Sequence, residues 1–172
     1  PYISQAIATN PDVIFSPNWG NDLRLVTKQA ISLGLKVPWA TYFLGDVENI
    51  KAIGAGDELV GSVACEGYQL TIPGEGNKKF REGFHKKYNF YPTWTAGKAY
   101  VNVMFWAEAV KAAGKDDIEA VKKAWEGLEY NGIAGNMKMR ACDHQTIRPV
   151  WLAEIVKHSE FYDHPHVGEA FM

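Results

Sequence analysis

Cysteine is scarce: Cys65 and Cys142 are the only two in 172 residues. Two thiols so far apart build neither a disulfide framework nor a zinc site. One disulfide in an oxidising space and two buried thiols in a reducing one both fit, so the pair fixes no compartment. Long apolar runs are missing too. No stretch approaches the roughly 18 residues that cross a bilayer as a helix, because Gly, Pro or charge interrupts every candidate. A basic excess is also lacking: 18 Lys and Arg stand against 20 Asp and Glu, a formal net charge of −2 with a pI near 6.2. Phosphate backbones demand positive charge, so nucleic acid is not an expected partner. No basic start, apolar core and small-residue cleavage site mark a signal peptide. The sequence opens Pro1-Tyr2-Ile3-Ser4-Gln5 straight into a helical pattern, as expected of a segment cut from a longer chain. There is no internal repeat and no low-complexity tract. What is present is the balance of a folded globular protein, with 47% hydrophobic and 22% charged residues. Aromatic residues reach 13%, with six Trp, and that calls for an explanation.

The first part of the chain alternates in kind. Tyr2, Ile3, Ala6 and Ile7 recur at helical spacing until Asn10-Pro11 stops them. Asp12 to Ser16 is a short, continuously apolar run, the pattern of a strand covered on both faces. Asn21 or Asp22 is placed to cap a helix carrying Leu23, Val26, Ala30 and Leu33, with Gly34 suited to its left-handed end. Val37 to Thr41 reads as a second strand, Val47 to Ile53 as a short helix, and Leu59 to Glu66 as a third strand. Helix and strand in turn predict an α/β fold with a parallel sheet.

The remainder changes character. After the turn-rich Ile72-Pro73-Gly74-Glu75-Gly76, Phe80, Phe84 and Tyr88 mark one helix face. Thr93 or Thr95 caps a long helix striped by Ala99, Val103, Trp106, Val110 and Ala113, and Asp116 or Asp117 caps another through Ile118, Val121, Ala124, Trp125 and Leu128. Asn136 to Ala141 and Ile147 to Val156 read as strands joined by a turn at Asp143-His144, while Phe161 to Met172 has no clean period. The helices of residues 76–128 bring no strand of their own, so their apolar stripes are expected to cover a sheet supplied elsewhere. Large apolar side chains there, centred on Trp106, should form an exposed patch.

An ordered set of residues now becomes recognisable. It runs from Pro1-Tyr2-Ile3-Ser4-Gln5 and Asn10-Pro11-Asp12-Val13-Ile14-Phe15 through Lys28-Gln29-Ala30 and Leu33-Gly34-Leu35-Lys36-Val37-Pro38. Pro92 with Ala99-Tyr100, Ala112-Ala113-Gly114, Gly135 with Met137-Lys138-Met139-Arg140, and Asp143-His144-Gln145 complete it. Across nearly its whole length the chain resembles the C-terminal half of type I periplasmic solute-binding proteins that serve branched-chain amino-acid-type ABC transporters. That resemblance implies a Venus-flytrap fold, in which two lobes close on a small organic solute about a hinge. Residues 1–66 would belong to the second lobe, 67–134 would supply helices packing on the first, and 135–172 would return through the hinge as strands of the second. The resemblance further implies no catalysis and no cofactor, a transporter permease and an N-terminal lobe as partners, and a periplasmic or extracellular location, as a surface lipoprotein in a Gram-positive cell. A ligand-sensing regulatory domain of the same fold is the alternative.

Ligands of open α/β sheets bind beyond the carboxyl ends of the strands. The three expected strands deliver Ser16, Asn18 and Trp19, then Thr41, Tyr42 and Phe43, then Cys65, Glu66 and Tyr68 to that edge. By resemblance these loops contact ligand, and Trp94 and Thr95 lie near the cleft. Packing beneath the loops is the competing role for Trp19 and Phe43, and helix capping for Trp94 and Thr95. Related amino-acid binders often place a carboxylate near Phe43 to take an ammonium. An aromatic ring there suits an apolar or aromatic ligand, or a cation over ring faces. Glu66 and Asp46 are the remaining carboxylates, with a hinge salt bridge and a helix cap as their simpler roles. The same crossover would hold Cys65 and Cys142, which makes a disulfide between them an expectation. Asp143-His144-Gln145 and Cys142 lack the orienting group and oxyanion donors of a nucleophilic site, and structural hydrogen bonding is expected there. His164-Pro165-His166 reads as a solvated tail rather than a metal site, and the glycine pairs at 54–56 and 74–76 read as turns, without the strand and helix of a phosphate loop.

Overall fold

The computed structural model describes residues 2–55, 57–162 and 166–171. Its elements are α1 (Tyr2–Ala8), β1 (Ile14–Ser16), α2 (Gly20–Ser32), β2 (Trp39–Thr41), α3 (Val47–Ile53) and β3 (Val63–Glu66). Then come α4 (Glu75–Tyr88), α5 (Trp94–Ala113), α6 (Ile118–Trp125), β4 (Glu129–Gly132), β5 (Gly135–Met139), β6 (Thr146–Ile147), β7 (Trp151–Val156) and β8 (His166–Phe171). A five-stranded sheet runs β1-β2-β3-β7-β8. Its first three strands are parallel, with α2 and α3 as crossovers, so Ser16, Thr41 and Glu66 all finish at one edge. β7 returns antiparallel to β3, with Glu66 opposite Trp151, and β8 pairs antiparallel with β7.

The expected alternation holds, and the ends of its helices have identifiable causes. Asp46 caps α3 by accepting from the Glu48 N–H, Thr93 caps α5 from Ala96, and Asp117 caps α6 from Ala120. α2 differs: it starts at Gly20 without a side-chain cap, so Asn21 and Asp22 lie inside its first turn. One core gathers Leu23, Trp39, Leu44, Ile50, Leu59 and Ile155 between sheet and helices. β1 is not covered on both faces as its apolar run implied: among the described residues no element packs over Phe15, which is 65% exposed, while Ser16 is buried.

The largest departure lies after α6. β4, β5 and β6 form their own three-stranded antiparallel sheet, and β6 is separated from β7. The predicted strands at 136–141 and 147–156 therefore do not run together into one sheet. The small sheet supplies part of the cover that was expected from elsewhere: Phe105 stacks on Tyr130 at 5.6 Å and meets Trp125 edge-on at 5.4 Å. Met137, Met139 and Val101 join this second core. α5 is not covered all round: Val103 is 60% exposed, and Trp106, 46% exposed, lines an open groove with Trp125 and Met139.

The tail is also ordered where it is described. β8 begins with a fully buried His166, whose Nε2 lies 2.6 Å from the Ser159 hydroxyl. This replaces the expected solvated tail; His164 and Pro165 lie outside the described residues. Both cysteines are free: Cys65 is half-buried opposite Leu152, whereas Cys142 is exposed in the turn between β5 and β6. The expected disulfide does not form because that turn belongs to the small sheet, not to the strand that returns beside β3.

Candidate functional site

The carboxyl edge of β1, β2 and β3 brings most of the predicted residues together, but not in equal roles. The Ser16 hydroxyl is buried and donates to Asn18 Oδ1 at 2.8 Å, closing the turn after β1. Thr41 Oγ1 is buried and accepts from the Leu44 N–H at 3.0 Å, which locks the turn after β2. Both side chains shape the loops they begin. The loops then project rings. Trp19 is 71% exposed at the start of α2, and Tyr42 and Phe15 are exposed beside each other, centroids 6.1 Å apart. Tyr42 meets Phe43 at 6.2 Å, and Phe43 meets Trp94 of α5 at 5.6 Å.

This row ends in charge. The Lys98 ammonium lies 4.5 Å from the Trp94 ring centre and 3.5 Å from Glu66 Oε2. Trp94 and Lys98 are one helical turn apart, so one face of α5 roofs the strand ends. Glu66 is only 5% exposed. Burial pushes its carboxyl above the usual range, opposed by the Lys98 charge, the Gly67 N–H and, more weakly, Arg148. Its Oε1 is sealed off without a hydrogen-bond partner among the described residues. A carboxyl whose folded pKa is raised favours folding below its ordinary value and loses that contribution as pH rises through the raised one. Glu66→Gln should therefore flatten the fall in thermal stability above about pH 4.5. A melting profile from pH 4 to 8 that keeps its slope in the variant would remove Glu66 as the cause.

One candidate moves out of the site. Tyr68 is fully buried: its hydroxyl donates to Asn77 Oδ1 at 2.9 Å, while Asn77 Nδ2 donates to the Leu70 and Ile72 carbonyls. It is a core anchor, and burial raises its pKa far above the ordinary phenol. Thr95 is exposed and bonds the capping Thr93 hydroxyl at 2.7 Å. Asp46 serves as the α3 cap, and burial lifts its carboxyl. Asp143, His144 and Gln145 form a turn: Arg140 pairs with Asp143, the Gln145 N–H donates to Asp143 Oδ1, and His144 Nε2 lies 3.3 Å from Glu126. Among the described residues no group of three or more His, Cys, Asp or Glu is arranged to hold a metal.

Sequence reasoning missed Asn49, Lys98 and Arg148. Asn49 Nδ2 donates to the Phe43 carbonyl at 2.7 Å and its Oδ1 accepts from Arg24 Nε, so α2 and α3 together fix the Phe43 loop. The one signal for Lys98 was its helical spacing from Trp94.

Both the sequence and the fold have counterparts among known proteins. Residues 1–160 match the periplasmic binding protein family. The chain belongs to that family. Among periplasmic binding proteins it is 32% identical over 161 residues to Leu/Ile/Val-binding protein homolog 4 of Brucella abortus, covering 91% of this chain and 38% of that protein. The crystal structure of a leucine-, isoleucine-, valine-, threonine- and alanine-binding protein from Brucella ovis, in its closed conformation, superposes with a TM-score of 0.83 at 28% identity, covering 99% of this chain and 46% of that one. A Rhodopseudomonas palustris solute-binding protein of an ABC transporter, solved with 3,4-dihydroxybenzoic acid, shares the fold at TM-score 0.83 and 18% identity, with 99% and 48% coverage. The chain thus spans less than half the length of each of these relatives. These periplasmic binding proteins bind solutes and are not named for any reaction.

Proposed function

We propose that the chain is the C-terminal half of a substrate-binding component of an ABC importer, a non-enzymatic protein that captures a small organic solute between two lobes. One observation carries the reading: the ring row from Phe15 to Trp94 lines the carboxyl edge of three parallel strands and ends at a charged cluster. Residues 1–66 and the strands β7 and β8 form the second lobe. Residues 67–134, together with the small sheet, pack on a first lobe that lies N-terminal to this sequence. The solute is amino-acid-like, or an aromatic or amide compound, and the protein works with a permease in a periplasmic or extracellular space. The absence of a carboxylate at Phe43 favours solutes with an apolar or planar body.

A thermal-shift screen of the full-length protein with amino acids, amides and aromatic acids tests this reading. A solute at 100 times its dissociation constant should stabilise by about 2.7 kcal/mol. No shift with any small solute overturns it. Trp19 is the most exposed ring of the edge, free to stack on what enters. Trp19→Ala in the full-length protein should weaken binding by about 1 kcal/mol or more, with the melting temperature preserved. Unchanged affinity in a folded variant removes Trp19 from the site.

A further inference from the structure

Two cations flank Glu66, and only one is paired with it. Lys98 is the paired one, 3.5 Å from Oε2. Arg148, just before β7, is exposed and lies over Gly67: a Cβ added there would sit 2.9 Å from the guanidinium carbon. Arg148 is near enough for its charge to act on Glu66, yet none of its donors has a hydrogen-bond acceptor among the described residues. Glu66 cannot satisfy both, because its second oxygen is sealed inside. The accessible end of the row therefore carries uncompensated positive charge. An arginine fork matches the two oxygens of a carboxylate, and the lysine adds a point charge beside it.

Among the described residues, this edge of the cleft leaves no acid free to receive an ammonium. Asp46 is committed to the α3 cap, Phe43 occupies the facing loop, and Glu66 is committed to Lys98. We propose that Arg148 and Lys98 form a carboxylate-binding end of the cleft, and that the solute is an apolar or aromatic monocarboxylate without an ammonium group. The planar or branched body lies along Tyr42, Phe43 and Trp94 while its carboxylate meets Arg148. Glu66 acts as a positioning residue that holds Lys98 at the edge. This inference rests on the solute-binding reading and narrows it.

Titration calorimetry on the full-length protein with benzoate, benzamide, phenylalanine, 3-phenylpropanoate, 4-methylpentanoate and leucine tests it. The carboxylates without an amino group should bind at least about tenfold more tightly than benzamide and the amino acids, a gap of about 1.4 kcal/mol. Arg148→Met should abolish that preference by weakening the carboxylates far more than benzamide, while Arg148→Lys should restore only part of it, because an ammonium lacks the fork. Lys98→Met alone strands a buried acid, so the pair Glu66→Gln with Lys98→Met is used. That pair should also lose the preference while its melting temperature stays near wild type. A carboxylate preference that survives in folded Arg148→Met and in the folded double variant overturns the assignment, as does tighter binding of leucine or phenylalanine than of their counterparts. If the wild-type protein ignores this panel but binds another solute class, the carboxylate end is wrong and the solute-binding reading stands. If it binds no small solute, both fall.

Discussion

Gly97→Ala should destabilise the protein by about 2–3 kcal/mol, even though alanine is the better helix former by about 1 kcal/mol. The reason is contact, not conformation. Gly97 lies in the first turns of α5, where an added Cβ would sit 2.2 Å from Tyr68 Cδ1 and 2.3 Å from its Cγ. Tyr68 has nowhere to go: it is fully buried, its hydroxyl is held by Asn77, and Phe80 stands edge-on to its ring at 6.0 Å. The helix must therefore lift. Trp94 and Lys98 lie on either side of Gly97 in sequence and make the contacts to Phe43 and Glu66, so ligand affinity should fall along with stability. Urea unfolding of the wild type, Gly97→Ala, Tyr68→Leu and the double variant measures the coupling. In the Tyr68→Leu background the Gly97→Ala penalty should shrink by about 1 kcal/mol or more, because the smaller side chain relieves the clash. Additive losses would mean that α5 and Tyr68 are not locked together as their geometry requires.

The parts of the fold that local pattern determines were legible, and the parts that pairing determines were not. Helix and strand alternated visibly through Glu66 because each βαβ unit carries its own periodicity and caps, as with Asp46 and α3. β4 was invisible because Glu129-Tyr130-Asn131-Gly132 has a single apolar residue; it is a strand through its register with Met137 and Lys138. β8 was missed for the same reason, since it is ordered by β7 and by the His166–Ser159 contact. The site follows the same division. Residues that leave strand ends, such as Trp19, Tyr42 and Phe43, could be placed by topology alone. Lys98 and Arg148 come from a helix and a connection far along the chain, and nothing local aims them at Glu66. Tyr68 was misplaced because the chain after Glu66 turns inward beneath α5, a close approach that Gly97 permits and that no local motif announces.

Supplying the preceding half of the protein as a separate chain should convert this segment from a self-associating species into a monodisperse, ligand-binding complex. The small sheet covers Phe105 and Trp125, but it leaves other parts of the helical block wet. Val103 of α5 is exposed, Trp106 is exposed at the edge of a groove it shares with Trp125 and Met139, and Tyr88 and Phe90 stand exposed at the end of α4. Beside them a wide groove runs between α4, α5 and the β4–β5 hairpin, lined by Phe80, Phe84, Tyr100 and Tyr130. Fully burying one large apolar side chain contributes about 1.5–3 kcal/mol, so several left in water favour association with whatever apolar surface is at hand. In the proposed arrangement that surface is the sheet of the first lobe. Alone, the segment should bind a hydrophobic dye strongly and elute as oligomers in size-exclusion chromatography. Co-expressed with the preceding half, it should elute as a one-to-one pair, lose most of the dye signal and gain the thermal shift of the intact protein with its solute. Val103→Asp or Trp106→Asp should block the pairing while improving the solubility of the isolated segment, since each puts a charge where a lobe must seat. Unhindered pairing in both variants would place the first lobe on another face and detach the α5 surface from the two-lobe arrangement.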